Sequence, residues 1–239
     1  MPPITAVIFD MYETLVVNTT SLWVETFDDI CRHQALGLTG QELWDRWKPV
    51  EMVFRKERLH SASNGTLPSF KSYYQAWLET FEQVFNDIGK GDAKHAAQRS
   101  LADQGLRELY SETAEVLACL HDIRNLPVGL LSNSDNDALL PLVKRHGLRF
   151  DAVVSSESAR AYKPLGQPFQ VMVEALGVDA RSCLYVGDSQ LDDVKGGKDA
   201  GMQTAWLNRH QARLDQALPL PDYHVRDLRE ILNVLDVAT

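Results

Sequence analysis

Ala6-Val7-Ile8-Phe9-Asp10 is an unbroken apolar run closed by a carboxylate. A strand with one wet face alternates apolar and polar residues. A continuous run instead predicts a strand covered on both sides, the condition of a parallel sheet. The same pattern returns downstream: Val128-Gly129-Leu130-Leu131 ends at Ser132, Cys183-Leu184-Tyr185-Val186 at Gly187-Asp188, and Thr204-Ala205-Trp206-Leu207 at Asn208-Arg209. A weaker run, Phe150 to Val154, precedes a Ser/Glu stretch. Helical patterns fill the intervals. Thr113 to His121 carries apolar residues at Val116, Leu117 and Leu120. Ala138 to His146 is followed by Gly147, and Pro168 to Leu176 by Gly177, where a helix end favours glycine. The alternation predicts an α/β fold on a doubly wound parallel sheet.

Residues 17–96 read differently. They are rich in aromatics (Trp23, Phe27, Trp44, Trp47, Phe54, Tyr73, Tyr74, Trp77, Phe81, Phe85), and the spacing of Tyr74, Trp77, Leu78, Phe81 and Phe85 is helical. This predicts a helical domain at 17–96 inserted into a sheet domain formed by 1–16 and 97–239. The expected helix breaks fall near Gly37 to Gly40, at Ser61 to Pro68 and at Gly89 to Gly91. The aromatic stripe is expected to be helix–helix core.

The 239 residues are 44% hydrophobic and 24% charged, which argues for a globular chain and against disorder. A net charge of -9 lacks the basic footprint of a nucleic-acid binder and suits a divalent metal or a cationic metabolite. Cys31, Cys119 and Cys183 have no CxxC spacing, so neither a zinc cluster nor a disulfide framework is expected. No apolar run approaches the roughly 18 residues of a membrane span. The first residues, MPPITAVIFD, have no basic region before the apolar run, so a cytoplasmic protein acting on a small molecule is expected.

The chemistry gathers at strand ends, where open parallel sheets bind ligands. The clusters are Asp10-Met11-Tyr12-Glu13-Thr14, Ser132-Asn133-Ser134, Lys163-Pro164 and Gly187-Asp188-Ser189-Gln190-Leu191-Asp192-Asp193. Each alone is an ordinary turn or surface feature. In this order they bring a carboxylate, a hydroxyl, a cation and further acids to neighbouring strand tips, within reach of one reacting atom.

These stretches, with Tyr162-Lys163-Pro164 and the run from Asp193-Val194 to Ala200-Gly201-Met202, resemble the haloacid dehalogenase-like hydrolase superfamily. The resemblance implies a Rossmann-like core with a small α-helical cap as the inserted domain. It implies that Asp10 is a nucleophile forming an acyl-type intermediate that water hydrolyses. Ser132 would hydrogen-bond an oxygen of the bound group, and Lys163 would counter its negative charge. Tyr12 joins the expected catalytic set. Thr14, Asn133 and Arg46 are the expected substrate-binding residues. The expected cofactor is Mg²⁺, held by Asp10, Tyr12, Asp188 and Asp193, with Asp192 an alternative to Asp193.

Two branches of that superfamily compete. Phosphatases normally carry a second Asp two residues after the nucleophile; this chain has Tyr12, which resembles the 2-haloacid dehalogenases. Leu43-Trp44…Arg46 resembles their cap arginine, and Trp206-Leu207-Asn208-Arg209 also has their look. Against this, Asp188 stands where dehalogenases of this kind carry a neutral residue, Ser189 follows it without their nearby Asn or His, and Phe169 replaces their usual Tyr. Glu13 stands where glycine is usual. It is not expected to replace the missing acid, since successive residues of an extended segment face opposite ways. Charge counting favours the metal. Three buried carboxylates against one ammonium are costly unless a cation joins them or they hold protons. The leading expectation is therefore a Mg²⁺-dependent phosphatase-type hydrolase. A metal-free 2-haloacid dehalogenase is the alternative, and a non-catalytic ligand-binding protein the third.

Overall fold

The computed structural model describes residues 2–59 and 69–237. They form two compact units, one of 2–17, 108–133 and 143–237, the other of 18–59, 69–107 and 134–142.

The first unit is built on a parallel sheet of β1 (Ala6–Phe9), β2 (Val128–Ser132), β3 (Ala152–Ser155), β4 (Cys183–Gly187), β5 (Gln203–Leu207) and β6 (Tyr223–Val225), in the order β3-β2-β1-β4-β5-β6. β1, β2, β4 and β5 are buried at every residue, as their unbroken apolar runs require. Phe9 pairs with Leu130 on one side and Val186 on the other, so Asp10 emerges between the ends of β2 and β4. The strand order reverses at β1, and that switch point is where such sheets place their ligands. On one face Ile8, Leu131, Phe169, Met172 and Tyr185 form a continuous core. β6 was not expected. Its three residues include the exposed His224 and offer no apolar run to read.

The helices of the other unit are α1 (Thr20–His33), α2 (Gly40–Glu57), α3 (Tyr73–Ile88) and α4 (Ala93–Gln104). Capping boxes, Thr39 with Glu42 and Ser72 with Gln75, start α2 and α3. The aromatic stripe is their core: Trp23 lies edge-on to Trp77 at 5.2 Å, and Phe27 to Trp47 at 5.2 Å. The expected boundary at 96/97 falls inside α4. That helix packs on α3 and α1, so the compact division runs after Arg107. Ser134–Leu142 also joins the helical unit, because Asp135 accepts from the Tyr73 and Tyr74 amides and so caps α3. The breaks near Gly37 to Gly40 and Gly89 to Gly91 fall between helices; the one at Ser61 to Pro68 lies outside the described residues.

The remaining helices follow in chain order: α5 (Thr113–Ala118), α6 (Asn136–Arg145), α7 (Ser156–Ala159), α8 (Gly166–Leu176), α9 (Gly196–Asp199) and α10 (Glu230–Val237). Gly147 and Gly177 have φ of 60° and 67°, the left-handed conformation that ends α6 and α8. No helix of the described residues is long and apolar enough to cross a membrane.

Candidate active site

The side chain of Lys163 is 2% exposed, and its ammonium reaches Asp10 Oδ1 at 2.8 Å, Asp193 Oδ1 at 2.6 Å, the Tyr185 hydroxyl at 2.7 Å and the Leu131 carbonyl at 3.1 Å. Burial opposes its charge, but Asp10 and Asp193 outweigh burial and hold it well above the ordinary lysine range. Tyr185 in turn donates to the Leu131 carbonyl at 3.0 Å. Tyr185 was missed from the sequence. Its signal is the one hydroxyl inside an otherwise apolar strand.

Asp10, Asp188 and Asp193 each offer a carboxylate oxygen, and these oxygens lie within 4.8 Å of one another. Burial raises Asp10 to about 6, Lys163 pulling it down and Asp193 pushing it up. Burial and then the charges of Asp193 and Asp10 drive Asp188 well above the usual carboxylate range.

The order of Asp192 and Asp193 is set by the turn after β4. Ser189 caps a π-helical turn spanning Gln190–Lys195, its hydroxyl accepting from the Asp192 amide at 3.0 Å while its own amide donates to Asp193 Oδ2 at 2.9 Å. Asp193 therefore turns inward to Lys163, and Asp192 accepts from Asn133 Nδ2 at 3.3 Å. Gly187 leaves room for this: a Cβ there would lie 2.3 Å from the Asp193 carboxylate. Gly187→Ala is expected to push Asp193 off Lys163 and to cost about 1–3 kcal/mol, read as a lower melting temperature. An unchanged melt would refute the crowding.

Ser132 and Thr14 are buried, and neither hydroxyl has a hydrogen-bond partner among the described residues. A buried hydroxyl left unmatched costs free energy that a ligand oxygen or water relieves. Asn133 accepts from the Lys163 amide at 2.8 Å and donates to the Lys163 carbonyl at 3.1 Å, so its amide group is engaged in fixing the lysine loop. Tyr12 is half-buried, its backbone bridged to Val16. Arg46 is exposed on α2 in the helical unit.

The expectation about Glu13 rested on an extended segment. The chain instead curls: the Leu15 and Val16 amides both return to the Met11 carbonyl, and Glu13 takes φ of 61°. Face alternation does not apply there. The Glu13 carboxylate accepts from the Tyr110 hydroxyl at 3.2 Å and contacts His210 Nε2 at 2.8 Å.

A buried Asp10–Lys163–Asp193 set lies at the switch point of a parallel sheet, the place where such folds bind their ligands. The family model of the haloacid dehalogenase-like hydrolases matches residues 4–201, and the chain belongs to that family. Haloacetate dehalogenase H-2 from Moraxella sp. (strain B) is 27% identical, over 99% of this chain and 100% of that protein. Pyrimidine 5'-nucleotidase YjjG of Escherichia coli (strain K12) is 28% identical, over 72% of this chain and 75% of its own. The fold matches the L-2-haloacid dehalogenase of Xanthobacter autotrophicus with a TM-score of 0.75 at 22% identity, covering 98% of each chain.

Proposed function

We propose that this hydrolase is a Mg²⁺-dependent enzyme that cleaves a small phosphorylated metabolite through an aspartyl-enzyme intermediate on Asp10. One observation carries the reading: three clustered carboxylates face one bonded ammonium, and Asp188 is the acid that Lys163 does not hold. Hard carboxylate oxygens so placed fit Mg²⁺, which retains several waters beside one or two carboxylates. Asp10, Asp188 and Asp193 would hold it, and the ion would supply positive charge to the phosphoryl oxygens.

In this reading a carboxylate oxygen of Asp10 attacks phosphorus, and the bond from phosphorus to the leaving oxygen breaks. Lys163 keeps Asp10 oriented and offsets the growing charge. The Ser132 hydroxyl donates to a phosphoryl oxygen. Water then cleaves the aspartyl phosphate and restores Asp10. The leaving oxygen must take a proton, and Tyr12, with a reference pKa near 10, is a weak substitute for a carboxylic acid. A missing general acid costs about 10²- to 10⁴-fold, or roughly 3–5 kcal/mol of barrier. Acetyl phosphate, whose leaving group needs little protonation, is therefore expected to turn over faster than a sugar phosphate by about that factor. Equal, fast rates would contradict this assignment of Tyr12.

A second reading is a metal-free 2-haloacid dehalogenase, in which Asp10 attacks carbon and halide leaves. Tyr12 and the full-length match to a haloacetate dehalogenase favour it. Phosphate and chloride release, each assayed with and without EDTA, separate the two. The first reading expects EDTA-sensitive phosphate release, and EDTA-resistant chloride release would replace it with the second. Asp188→Asn adds a stability test. A carboxylate whose pKa is raised by folding penalises the folded state at every pH above its unfolded pKa, so the Asn variant is expected to melt higher than its parent in EDTA at neutral pH. It should also lose the stabilisation that Mg²⁺ gives the parent, about 2.7 kcal/mol at a hundredfold excess over Kd.

A further inference from the structure

The loop that follows the nucleophile strand is held by the end of β5. The Arg209 guanidinium donates to the Thr14 carbonyl at 2.8 Å and to Glu112 Oε1 at 2.6 Å, and it lies 3.7 Å over the Tyr110 ring. Its side chain is 10% exposed and that of Glu112 4%, so this is a buried, bonded ion pair. Two further contacts tie the same loop: Tyr110 and His210 both meet Glu13 Oε2, at 3.2 Å and 2.8 Å. Behind them the Thr113 hydroxyl and the Tyr110 amide donate to the Leu15 carbonyl at 2.8 Å and 3.0 Å.

What these groups hold is a strained turn. Glu13 has φ of 61°, a region that a residue with a Cβ enters at a cost. Such a conformation persists only where its surroundings over-determine it, and such outliers gather at working sites. Here the turn begins two residues after Asp10 and carries Tyr12 and Thr14.

We infer that Arg209 is a positioning residue of the hydrolytic reaction: it latches the Thr14 carbonyl against Glu112 and so keeps the loop from Tyr12 to Leu15 in the strained turn that sets Tyr12 and Thr14 beside Asp10. Arg209 touches neither Asp10 nor Lys163 by hydrogen bond. It acts through the backbone of Thr14. The guanidinium is needed rather than any cation, because its planar fork serves the carboxylate and the carbonyl at once while stacking on Tyr110. The inference rests on Asp10 being the working carboxylate, as proposed above, but on neither choice of leaving group.

Glycine at position 13 accepts the left-handed conformation without steric cost. If Arg209 holds the turn against that cost, removing the cost makes Arg209 less necessary. The test is a cycle of Arg209→Met, Glu13→Gly and the double variant, with Arg209→Lys beside them. Two readouts are taken: hydrogen exchange of the amides of Glu13, Leu15 and Val16, and kcat and KM on whichever of acetyl phosphate or chloroacetate the parent hydrolyses. Arg209→Met is expected to lose about tenfold protection at those amides. Its kcat should fall by up to about 10²-fold, the effect of displacing groups beside the reacting atom, with KM little changed. Arg209→Lys should recover only part of this. Adding Glu13→Gly to Arg209→Met should restore part of the protection and of kcat, short of full recovery because the Tyr110 and His210 contacts go with the Glu13 side chain; that non-additivity is one a merely structural arginine would not give. Wild-type exchange in Arg209→Met, or a double variant no better than Arg209→Met, would overturn the inference. Should Arg209→Met fail to fold, Arg209→Lys with and without Glu13→Gly provides the same comparison. Should the parent hydrolyse neither probe, the reading of its function fails while the exchange measurement still decides the latch.

Discussion

Asp10→Asn is expected to abolish turnover, with kcat reduced by about 10⁴-fold or more, while the protein stays folded. The amide matches the carboxylate in shape, and its oxygen still accepts from the Lys163 ammonium, which lies 2.8 Å from Asp10 Oδ1 in the native site. In the proposed mechanism what disappears is the nucleophile, and loss of a covalent catalyst is among the largest single effects known in enzymes. Stability supplies the control. Burial raises Asp10 to about 6, against about 3.9 for a free aspartate, so the folded chain binds this proton more tightly than the unfolded one. Folding is thus favoured as pH falls from above 6 towards 4 and penalised where Asp10 is ionised. Asparagine has no such penalty, so in EDTA at about pH 8 the variant is expected to melt no lower than its parent. Steady-state kinetics with thermal melting checks both halves. Retained turnover in a folded Asp10→Asn protein would remove Asp10 from the chemistry.

Lys163→Met is expected to cause the largest loss of stability. The buried ammonium is bonded to Asp10 and Asp193, and Asp188 stands in the same cluster. Methionine fills similar volume but leaves three acids facing one another. Breaking a buried ion pair by removing one partner costs about 3–5 kcal/mol, a large part of a domain's total. For a chain of this size that corresponds to a fall of about 6–20 °C in melting temperature in EDTA. The sign with pH follows from the same charges. Burial already makes ionised Asp10 and Asp188 costly, so the deficit is expected to shrink as pH falls from about 8 to about 5 and these two take up protons. Melting curves of both proteins across that range check it. A deficit independent of pH would point to packing rather than charge as the function of Lys163.

The strands β1, β2, β4 and β5 were legible because each is apolar at successive positions, and burial on both faces leaves that mark on a sequence; their order in the sheet was not. Asp10 and Asp188 were legible because they stand directly after those runs, where a chain leaving a parallel sheet meets its ligand; Lys163 and Asp193 lie further along the chain, and the family resemblance pointed to them. β6 left no mark: three residues at a sheet edge, one of them exposed, need no apolar run. Nor did α4 declare its allegiance, since its attachment to α3 and α1 is a matter of packing between segments.

Other features were decided by the folded chain alone. The choice of Asp193 over Asp192 depends on a π-helical turn capped by Ser189 and on the space that Gly187 leaves. The engagement of Asn133 with the Lys163 backbone, and of Tyr185 with the lysine ammonium, joins residues 30 and 22 positions apart. The extended geometry expected at Glu13 gives way to a left-handed turn, set by the hydrogen bonds that the Leu15 and Val16 amides return to Met11. The physical division is between solvent and partner. Local sequence records whether a residue must be kept from water, because that is paid for position by position. Which charge neutralises which is fixed only when strand pairing brings distant loops to the same end of the sheet.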